Sequence, residues 1–293
     1  MLRGMYSATA GMIAQQRKHD AATNNIANVN TPGFKSANTV MRSFPEMLIS
    51  VIRDGENGVK GTIGSLHGGV FAEESLPLFL QGDVTATGNP TDLALMSNIQ
   101  VPGLEFDDAG RATTPQGDIV YQPQAFFTVA GPDGTEAYTR DGKFSVNDSG
   151  EWVTSSGYRL LDTNGQPIVL EGRPEDIQFT PNGSLFESAT GEPVLDVNGN
   201  PVQLRISIID NPYNLLRYGN SVFVLNEGAD PARLLGADES VQVMQGYMER
   251  SNVDPTAATI DMMTAMRAYE ANQKVIQFYD RSMDKAVNEV GRV

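Results

Sequence analysis

The sequence predicts an α+β protein in which a helix at each end of the chain flanks a β-rich middle. Three observations indicate this class. Residues 1–30 contain no proline and are rich in alanine and polar amides. Residues 81–245 alternate short apolar runs with clusters of glycine, asparagine, aspartate and proline, as strands and turns do. Between Pro255 and Gly291 neither proline nor glycine interrupts a periodic apolar pattern.

The N-terminal helix is predicted to stop at Thr31-Pro32-Gly33, because the residue before a proline is pushed out of the helical region. Asn24, Asn25 and Asn28 weaken its far end, since asparagine competes for backbone hydrogen bonds. Its 3-4 spaced register is only half apolar, so this helix is marginal by itself. That register comprises Leu2, Met5, Thr9, Met12, Gln16, His19, Thr23 and Ile26.

The C-terminal helix is more sharply delimited, with Asp254 as N-cap, Pro255 at the first helical position and Gly291 as C-cap. Apolar residues recur every seven positions, with a second position three residues later, which is the pattern of a coiled-coil seam. The seam comprises Met262, Ala265, Tyr269, Asn272, Ile276, Tyr279, Met283, Ala286 and Val290. The apolar face is widened by Ile260, Met263, Met266, Val275 and Phe278.

Helices that are apolar on more than one side have more surface to bury than one partner covers. We therefore expect the two ends of the chain to pack against each other and against neighbouring subunits. The alternative is an ordinary two-helix hairpin that is tucked against the β-rich middle.

Between the helices, the sequence predicts a short helix at 44–51, a flexible glycine-rich stretch that includes Gly55, Gly58, Gly61, Gly64, Gly68 and Gly69, and then strands. The strands include residues 126–129 and 204–209, and Trp152 is expected in a strand after the turn at 148–150. Residues 161–170 match residues 195–204 at six of ten positions. The Asn-Gly pair in each copy predicts a type I′ hairpin turn.

The bulk composition excludes several classes of partner. The formal net charge of −15 repels nucleic-acid phosphates and anionic membrane surfaces, so neither nucleic acid nor a membrane is expected as a partner. No apolar run is long enough to span a bilayer. The chain has no cysteine, which excludes disulfides and thiolate metal sites.

Candidate catalytic residues are few, and we expect no enzyme, no cofactor and no metal site. His19 and His67 are the only histidines, and they lie in dissimilar surroundings. The adjacent carboxylates Asp107-Asp108 and Glu73-Glu74 face opposite ways on a strand, so neither pair alone forms an acid–base couple. The two Asp-x-Asn-Gly stretches lack the full spacing and terminal glutamate of a calcium loop, and turn chemistry explains them better.

Five stretches, in the same order along the chain, resemble the motifs of flagellar rod and hook proteins. At the ends these are residues 24–35 (NNIANVNTPGFK) and the C-terminal run from 246–254 (GYMERSNVD) to 267–272 (RAYEAN). In the middle they are 81–95, 138–144 (YTRDGKF) and 210–215 (DNPYNL). The chain is thus similar over nearly its whole length to a rod protein of distal or proximal type.

The resemblance implies a structural subunit of the flagellar basal-body rod in the bacterial cell envelope, which polymerises helically and contributes to the axial drive shaft. The subunit would leave the cell through the flagellar type III export apparatus, with or without an export chaperone and without a cleaved signal peptide. Its partners would be copies of itself and other flagellar rod and hook proteins. Open-ended heterologous contacts are the kind that build such a filament.

The implied domains are a helical inner-tube domain of residues 1–35 and 251–293, with the terminal helices paired like a coiled coil. A glycine-rich connector (36–80) and a β-rich outer domain (81–250) follow, and residues 96–124 form an insertion in the outer domain. The expected assembly interface comprises Leu2, Met5, Met12, Asn24, Asn25, Ile26, Asn28, Met262, Tyr269, Ile276, Tyr279, Met283 and Val290. Two alternatives are a secreted β-rich module that binds cell-wall glycan and, from the abundance of carboxylates alone, a wall-cleaving enzyme.

Overall fold

The structure, a computed structural model, describes residues 2–51, 61–66, 68–107, 110–170, 172–196, 199–219, 221–236 and 240–290. The chain forms two compact units. The helical unit comprises Met1–Ala27, Ala37–Leu76 and Asp254–Val293, and the β-rich unit comprises Asn28–Ser36 and Pro77–Val253. Each unit is therefore built from segments that are distant in the sequence.

Two long helices dominate the helical unit. Helix α1 spans Leu2–Ala27 and helix α2 spans Pro255–Lys285, followed by a π-helical turn at Ala286–Val290. Asp254 caps α2 as predicted, since its Oδ1 accepts hydrogen bonds from the N–H groups of Thr256 and Ala257 at 2.8 and 3.1 Å. No helix in the described parts of the chain is long and apolar enough to cross a membrane.

Two strand pairs complete the helical unit, and they correct the prediction for residues 44–51. The strands are β1 (Ala37–Ser43), β2 (Met47–Val51), β3 (Gly61–Leu66) and β4 (Val70–Pro77). β1 pairs with β4, and β2 pairs antiparallel with β3. The predicted helix at 44–51 is wrong, because Ile49 and Val51 favour a strand and a partner strand is present. Gly61 and Gly64 of the predicted flexible stretch lie in β3, while Gly55 and Gly58 lie outside the described residues.

Short antiparallel strands form the β-rich unit, as the alternation of apolar runs and turn residues predicts. They are β5 (Val84–Ala86), β6 (Leu93–Ser97), β7 (Arg111–Thr113), β8 (Ile119–Tyr121), β9 (Gln124–Ala130), β10 (Glu136–Thr139), β11 (Phe144–Val146), β12 (Trp152–Thr154), β13 (Arg159–Leu160), β14 (Ile177–Phe179), β15 (Leu185–Glu187), β16 (Ile206–Ile209), β17 (Leu215–Arg217), β18 (Val222–Leu225), β19 (Arg233–Leu234), β20 (Val241–Gln245) and β21 (Tyr247–Glu249). Short 3-10 turns lie at Pro174–Asp176 and Pro212–Asn214.

The main sheet has the strand order β11-β12-β13-β9-β10-β18-β17, and β16 joins β9 and β19. The predicted strands at 126–129 and 204–209 are confirmed and pair with each other, with Ile206 opposite Phe127. The remaining pairs are β20 with β6, β21 with β5, β14 with β15 and β7 with β8. The hairpin of β7 and β8 lies within residues 96–124.

Strand β9 separates two apolar clusters, because successive side chains of a strand point to opposite faces. Phe127 belongs to the larger cluster, which includes Trp152 and Ile208. Phe126 belongs to a smaller cluster with Phe79 and, among others, Tyr138, Ile209, Leu215 and Phe223. Trp152 lies in a strand, as predicted, and is fully buried, so its ring is not a surface on which a sugar could stack.

The same hydrogen bonds between the first, fourth and fifth residues of a five-residue hairpin turn recur seven times among the described residues of the β-rich unit, at 107–111, 114–118, 147–151, 154–158, 162–166, 180–184 and 196–200. Residues 108, 109, 197 and 198 lie outside the described residues. The first residue is aspartate, asparagine or threonine, and its side chain accepts a hydrogen bond from the N–H of the fifth residue. The fourth residue is a glycine with positive φ, and its N–H donates to the carbonyl of the first residue.

The Asn164-Gly165 pair lies in one of these turns, so the predicted type I′ turn is wrong there. A type I′ turn needs positive φ at Asn164, and Ser221 is the one non-glycine residue with positive φ in the described chain. The aspartate two residues before the asparagine sets the turn instead. Gly199 of the second copy follows the same pattern and donates its N–H to the Asp196 carbonyl at 3.0 Å.

Candidate assembly surface

The two long helices contact each other through small residues. A methyl group on Gly4 would collide with the Tyr279 ring, and one on Gly11 would lie 3.0 Å from Nδ2 of Asn272. Lys18 Nζ lies 2.8 Å from Asp261 Oδ1, which fixes an antiparallel arrangement of the helices. The apolar side chains that the two helices bury are equally small, namely Ala8, Ala14, Ala22, Ala258 and Ala265.

Most of the described residues of the expected assembly interface are half-buried on these helices. Half-buried side chains on α2 include Met262, Tyr269, Ile276, Tyr279 and Met283, and those on α1 include Met5, Met12 and Ile26. The side chains of Leu2 and Val290 are outside the described set. The assignment of these residues to an interface between subunits stays a prediction.

The predicted inward register of α1 is wrong at three of its four polar positions. Thr9, Gln16 and Thr23 are exposed, and the two threonine hydroxyls donate to the carbonyls of Met5 and His19 at 2.8 Å. Glycine and alanine take the inward positions, because they let the helix backbones approach closely. The spacing of Gly4, Ala8, Gly11 and Ala14 by three or four residues is visible in the sequence. A search for large apolar residues gives these small residues little weight.

The three asparagines of the interface prediction have different surroundings. Asn25 is buried, and its amide both donates to the Ala37 carbonyl and accepts from the Ala37 N–H, each at 2.9 Å. This side chain is therefore bonded within its own chain. Asn24 is exposed, and Asn28 is half-buried and accepts a hydrogen bond from the Thr31 hydroxyl at 3.1 Å.

Large apolar side chains project from the outer sides of both helices. Phe278 is 66% exposed, and on α1 Tyr6 and Ile13 are 66% and 52% exposed. This outer apolar face, as we call it, comprises Tyr6, Ile13, Ile260, Met263, Met266, Val275, Phe278 and Val287. A group of this size along two helices is typical of a surface that contacts another protein.

Charge is divided unevenly along the chain. Residues 77–253 contain 24 acidic and 9 basic residues, whereas the remaining residues contain 12 of each. The whole net charge of −15 thus resides in the β-rich middle, and the helical segments are neutral in sum. Copies that meet through their helical segments would bring together surfaces without net repulsion.

The residues considered for catalysis are engaged in ordinary contacts. Asp107 forms an ion pair with Arg111 at 3.2 Å within one of the recurring turns. His19 Nδ1 lies 3.7 Å from the neighbouring Asp20. Glu73 pairs with Arg42 at 2.9 Å. His67, Asp108 and the Glu74 side chain lie outside the described set, and the described residues contain no group of three His, Cys, Asp or Glu side chains that could hold a metal.

The motif residues 31–35, 138–144 and 246–253 lie within the β-rich unit, where one residue from each meets the others, a contact that the sequence does not predict. Lys35 forms a buried ion pair with Glu249 at 2.7 Å, and Arg140 lies 3.5 Å from the same carboxylate. Each of these residues belongs to one of the motifs that resemble those of flagellar rod and hook proteins. Nothing in the spacing of the motifs indicates which of them touch.

Three family models match the chain in succession. Residues 5–35 match the model described as flagella basal body rod protein, and residues 120–185 match the flagellar hook protein FlgE/F/G D1 domain. Residues 244–289 match the C-terminal model of the flagellar basal body rod FlgEFG proteins.

Similarity to known proteins extends over the full length. The chain is 38% identical over 296 residues, covering 100% of both chains, to the flagellar hook-basal body complex protein FlhO of Bacillus subtilis. It is 31% identical to the flagellar basal-body rod protein FlgG of Borreliella burgdorferi, over 98% of each chain. It is 29% identical to FlgG of Caulobacter vibrioides, over 96% of this chain and 97% of that one. The chain therefore belongs to the family of flagellar basal-body rod and hook proteins.

Proposed function

We propose that this protein is a structural subunit of the bacterial flagellar basal-body rod, which polymerises helically into part of the axial drive shaft and catalyses no reaction. The observation that carries the proposal is the outer apolar face on α1 and α2. Burying such a face in a neighbouring subunit would contribute about 25 cal/mol per Å² of apolar surface. The names of the full-length relatives support the same role, and they lend no support to a module that binds cell-wall glycan.

The domain arrangement is part of the proposal. In this proposal residues 1–35 and 251–293 supply the inner-tube domain with coiled-coil-like pairing of the helices, residues 36–80 the connector and residues 81–250 the outer domain. The compact units divide the chain differently, since residues 28–36 and 251–253 belong to the β-rich unit and residues 37–76 to the helical unit. The small-residue contacts of Gly4 and Gly11 and the neutral net charge of the helical segments support an inner position. The β7–β8 hairpin and its recurring turns support residues 96–124 as an insertion in the outer domain.

The proposed partners are further copies of this chain and the other rod and hook proteins of the flagellum. Export by the flagellar export apparatus, with a chaperone or without one, and without a cleaved signal peptide, belongs to the same proposal. It is supported by family membership. The proposed location is the basal body within the cell envelope.

The outer apolar face is tested by a double variant, Met263→Ser with Phe278→Ser, compared with Leu216→Ser and Tyr218→Ser. The control pair is also apolar and exposed, at 50% and 63%, but lies in or next to β17 of the β-rich unit. Polymerisation of the purified chain is followed by sedimentation and electron microscopy. Loss of two large apolar contacts should raise the concentration needed for polymerisation at least tenfold, since 1.4 kcal/mol corresponds to a factor of about ten.

The control pair should polymerise like the unchanged chain, and circular dichroism should be the same for all three proteins. The proposal fails if the helix variant polymerises normally. It also fails if both pairs impair polymerisation equally, because the helices would then have no special role.

A further inference from the structure

The segment Asn28–Ser36 is held inside the β-rich unit by main-chain hydrogen bonds. The Gly33 N–H donates to the Glu249 carbonyl at 2.9 Å, and the Leu78 N–H donates to the Ser36 carbonyl at 2.7 Å. The side-chain oxygen of Asn252 accepts a hydrogen bond from the Ser36 N–H at 2.7 Å, and its side-chain NH₂ group donates one to the Leu78 carbonyl at 2.9 Å. The segment is thus hydrogen-bonded to residues near both ends of the stretch Pro77–Val253.

The site in the β-rich unit that holds this segment, which we call the seat, is specific for the sequence Gly33-Phe34 because of two close contacts. Gly33 has φ of +63°, and a methyl group there would collide with the Arg140 carbonyl. The Phe34 ring is buried, with the Arg217 guanidinium 4.6 Å from its centroid. Arg217 also donates to the Lys35 carbonyl at 2.7 Å. Any other residue at position 33 would be strained and would clash with the backbone.

The centre of the seat is a buried group of three charges. Lys35 is 1% exposed, and its Nζ donates to Glu249 Oε1 and to the Leu80 carbonyl, both at 2.7 Å. Glu249 Oε1 also accepts from the Gly82 N–H at 2.9 Å. Burial lowers the pKa of Lys35 to about 8, although Glu249 opposes this shift. Burial would raise the pKa of Glu249, but Arg140 and Lys35 outweigh it and lower that pKa.

The group is not balanced, because two cations share one carboxylate. Glu249 Oε2 lies 3.5 Å from Arg140 Nε, and both atoms are buried without a hydrogen-bond partner among the described residues. Removing Glu249 would leave two buried cations unpaired, whereas removing Lys35 would leave a neutral pair. The two changes should therefore differ strongly in effect.

Backbone strain is found at the same place. Ser221 has φ of +57° and is buried. Its hydroxyl donates to the Pro32 carbonyl at 3.3 Å, and its own carbonyl accepts from the Thr139 hydroxyl at 2.7 Å. A non-glycine residue in this conformation is strained and persists only where surrounding contacts hold it.

We propose that residues 28–36 and 249–252 form a latch, a cooperative element that opens and closes without unfolding the main sheet. Lys35 and Glu249 are 214 residues apart in the sequence, so the latch closes only when both ends of the β-rich unit are present. The main core cluster, which runs from Leu93 to Val243, contains neither end. A chain that emerges from its N-terminus would keep residues 28–36 unlatched until residue 252 has followed.

Hydrogen exchange of the full chain, read by mass spectrometry, tests the latch. The Glu249→Gln change should speed exchange at least about tenfold in peptides that cover residues 28–36 and 76–83, while a peptide that covers 124–130 keeps its protection. Lys35→Met should have a smaller effect on the same peptides. Glu192→Gln, the same change at an exposed glutamate of the same unit, is the matched control and should change none of them.

Two further variants separate a latch from a general loss of folding. Gly33→Ala should open the latch from its N-terminal side and speed exchange in residues 247–253. Ser221→Ala keeps the left-handed backbone but removes the hydrogen bond to the Pro32 carbonyl, so it should speed exchange in residues 28–36. The proposal is overturned if Glu249→Gln leaves residues 28–36 protected, or if strand β9 loses protection by the same factor. It is also overturned if Gly33→Ala leaves exchange in residues 247–253 unchanged or if Ser221→Ala leaves exchange in residues 28–36 unchanged.

Discussion

The two units of this protein bury their side chains in opposite ways. The β-rich unit encloses large residues such as Phe126, Phe127 and Trp152 without any exposed surface. The long helices bury alanines and leave residues such as Phe278 and Ile13 outside. The first pattern is that of a finished core, and the second is that of an element whose largest contacts are still to be made. The difference matches the proposed function, which requires one unit that folds within the monomer and another that is completed by assembly.

The greatest test of this comparison is removal of the C-terminal helix. Deletion of residues 254–293 should abolish polymerisation altogether, because α1 loses its partner and most of the outer apolar face disappears. The β-rich unit should keep a cooperative unfolding transition, measured by tryptophan fluorescence of Trp152. If the truncated chain still formed rods, assembly would not depend on the helical unit, and the comparison would be contradicted.

Trp152→Ala should produce the largest loss of monomer stability. Deleting a fully buried tryptophan typically costs about 3–5 kcal/mol through lost transfer energy and the cavity left behind. Urea unfolding of the variant would measure this loss in the β-rich unit. Helical circular dichroism should change less than the signal of the strands, and equal loss of both would mean that the units are not energetically separate.

Ala265→Leu should have an intermediate effect on the helical unit. Ala265 is 1% exposed, and adding bulk to a close-packed site costs about 1–3 kcal/mol. Ala271→Leu is the matched control, because Ala271 is exposed in the same helix. The midpoint temperature of thermal unfolding, followed by helical circular dichroism, should fall for Ala265→Leu and stay unchanged for Ala271→Leu. Comparable behaviour of the two variants would show that small residues are not required between the helices.

Asp141→Asn should have the smallest effect, confined to the β-rich unit. Burial raises the pKa of Asp141 from its ordinary value of 3.8 to about 6, assisted by Asp92 and opposed by Lys143. The folded state therefore holds the proton more tightly, and the unchanged chain should gain on the order of 1 kcal/mol between pH 7 and pH 5. The variant should lack this gain in urea unfolding at the two pH values. A gain of equal size in the variant would assign the pH dependence elsewhere.

The sequence predicted those features that rest on local rules. The Asp254 cap, the strand at Trp152 and the strands at 126–129 and 204–209 follow from capping and from apolar alternation. The helix predicted at 44–51 failed because a partner strand outweighed a weak local preference. The register of α1 failed because close approach of two backbones rewards small residues, and an apolar template does not count them.

Contacts between distant residues could not be predicted in the same way. Lys35, Arg140 and Glu249 were present in recognised motifs, but a single sequence does not indicate which motifs are adjacent in space. The type I′ turn failed for a different reason. The side chain of Asp162 accepts hydrogen bonds from the N–H groups of Asn164 and Gln166, and the turn closes from Asp162 to Gly165, one position earlier than the Asn-Gly pair predicts.

The recurring five-residue turn has a practical consequence. Each turn is closed by its own first and fourth residues, so its two middle positions carry no part of that closure. At 154–158 these positions are Ser155 and Ser156, both exposed, in a chain that contains no cysteine. A cysteine placed at position 156 would be the single thiol of the molecule. A fluorescent dye attached there would report the growth of individual rods in real time without touching either helix.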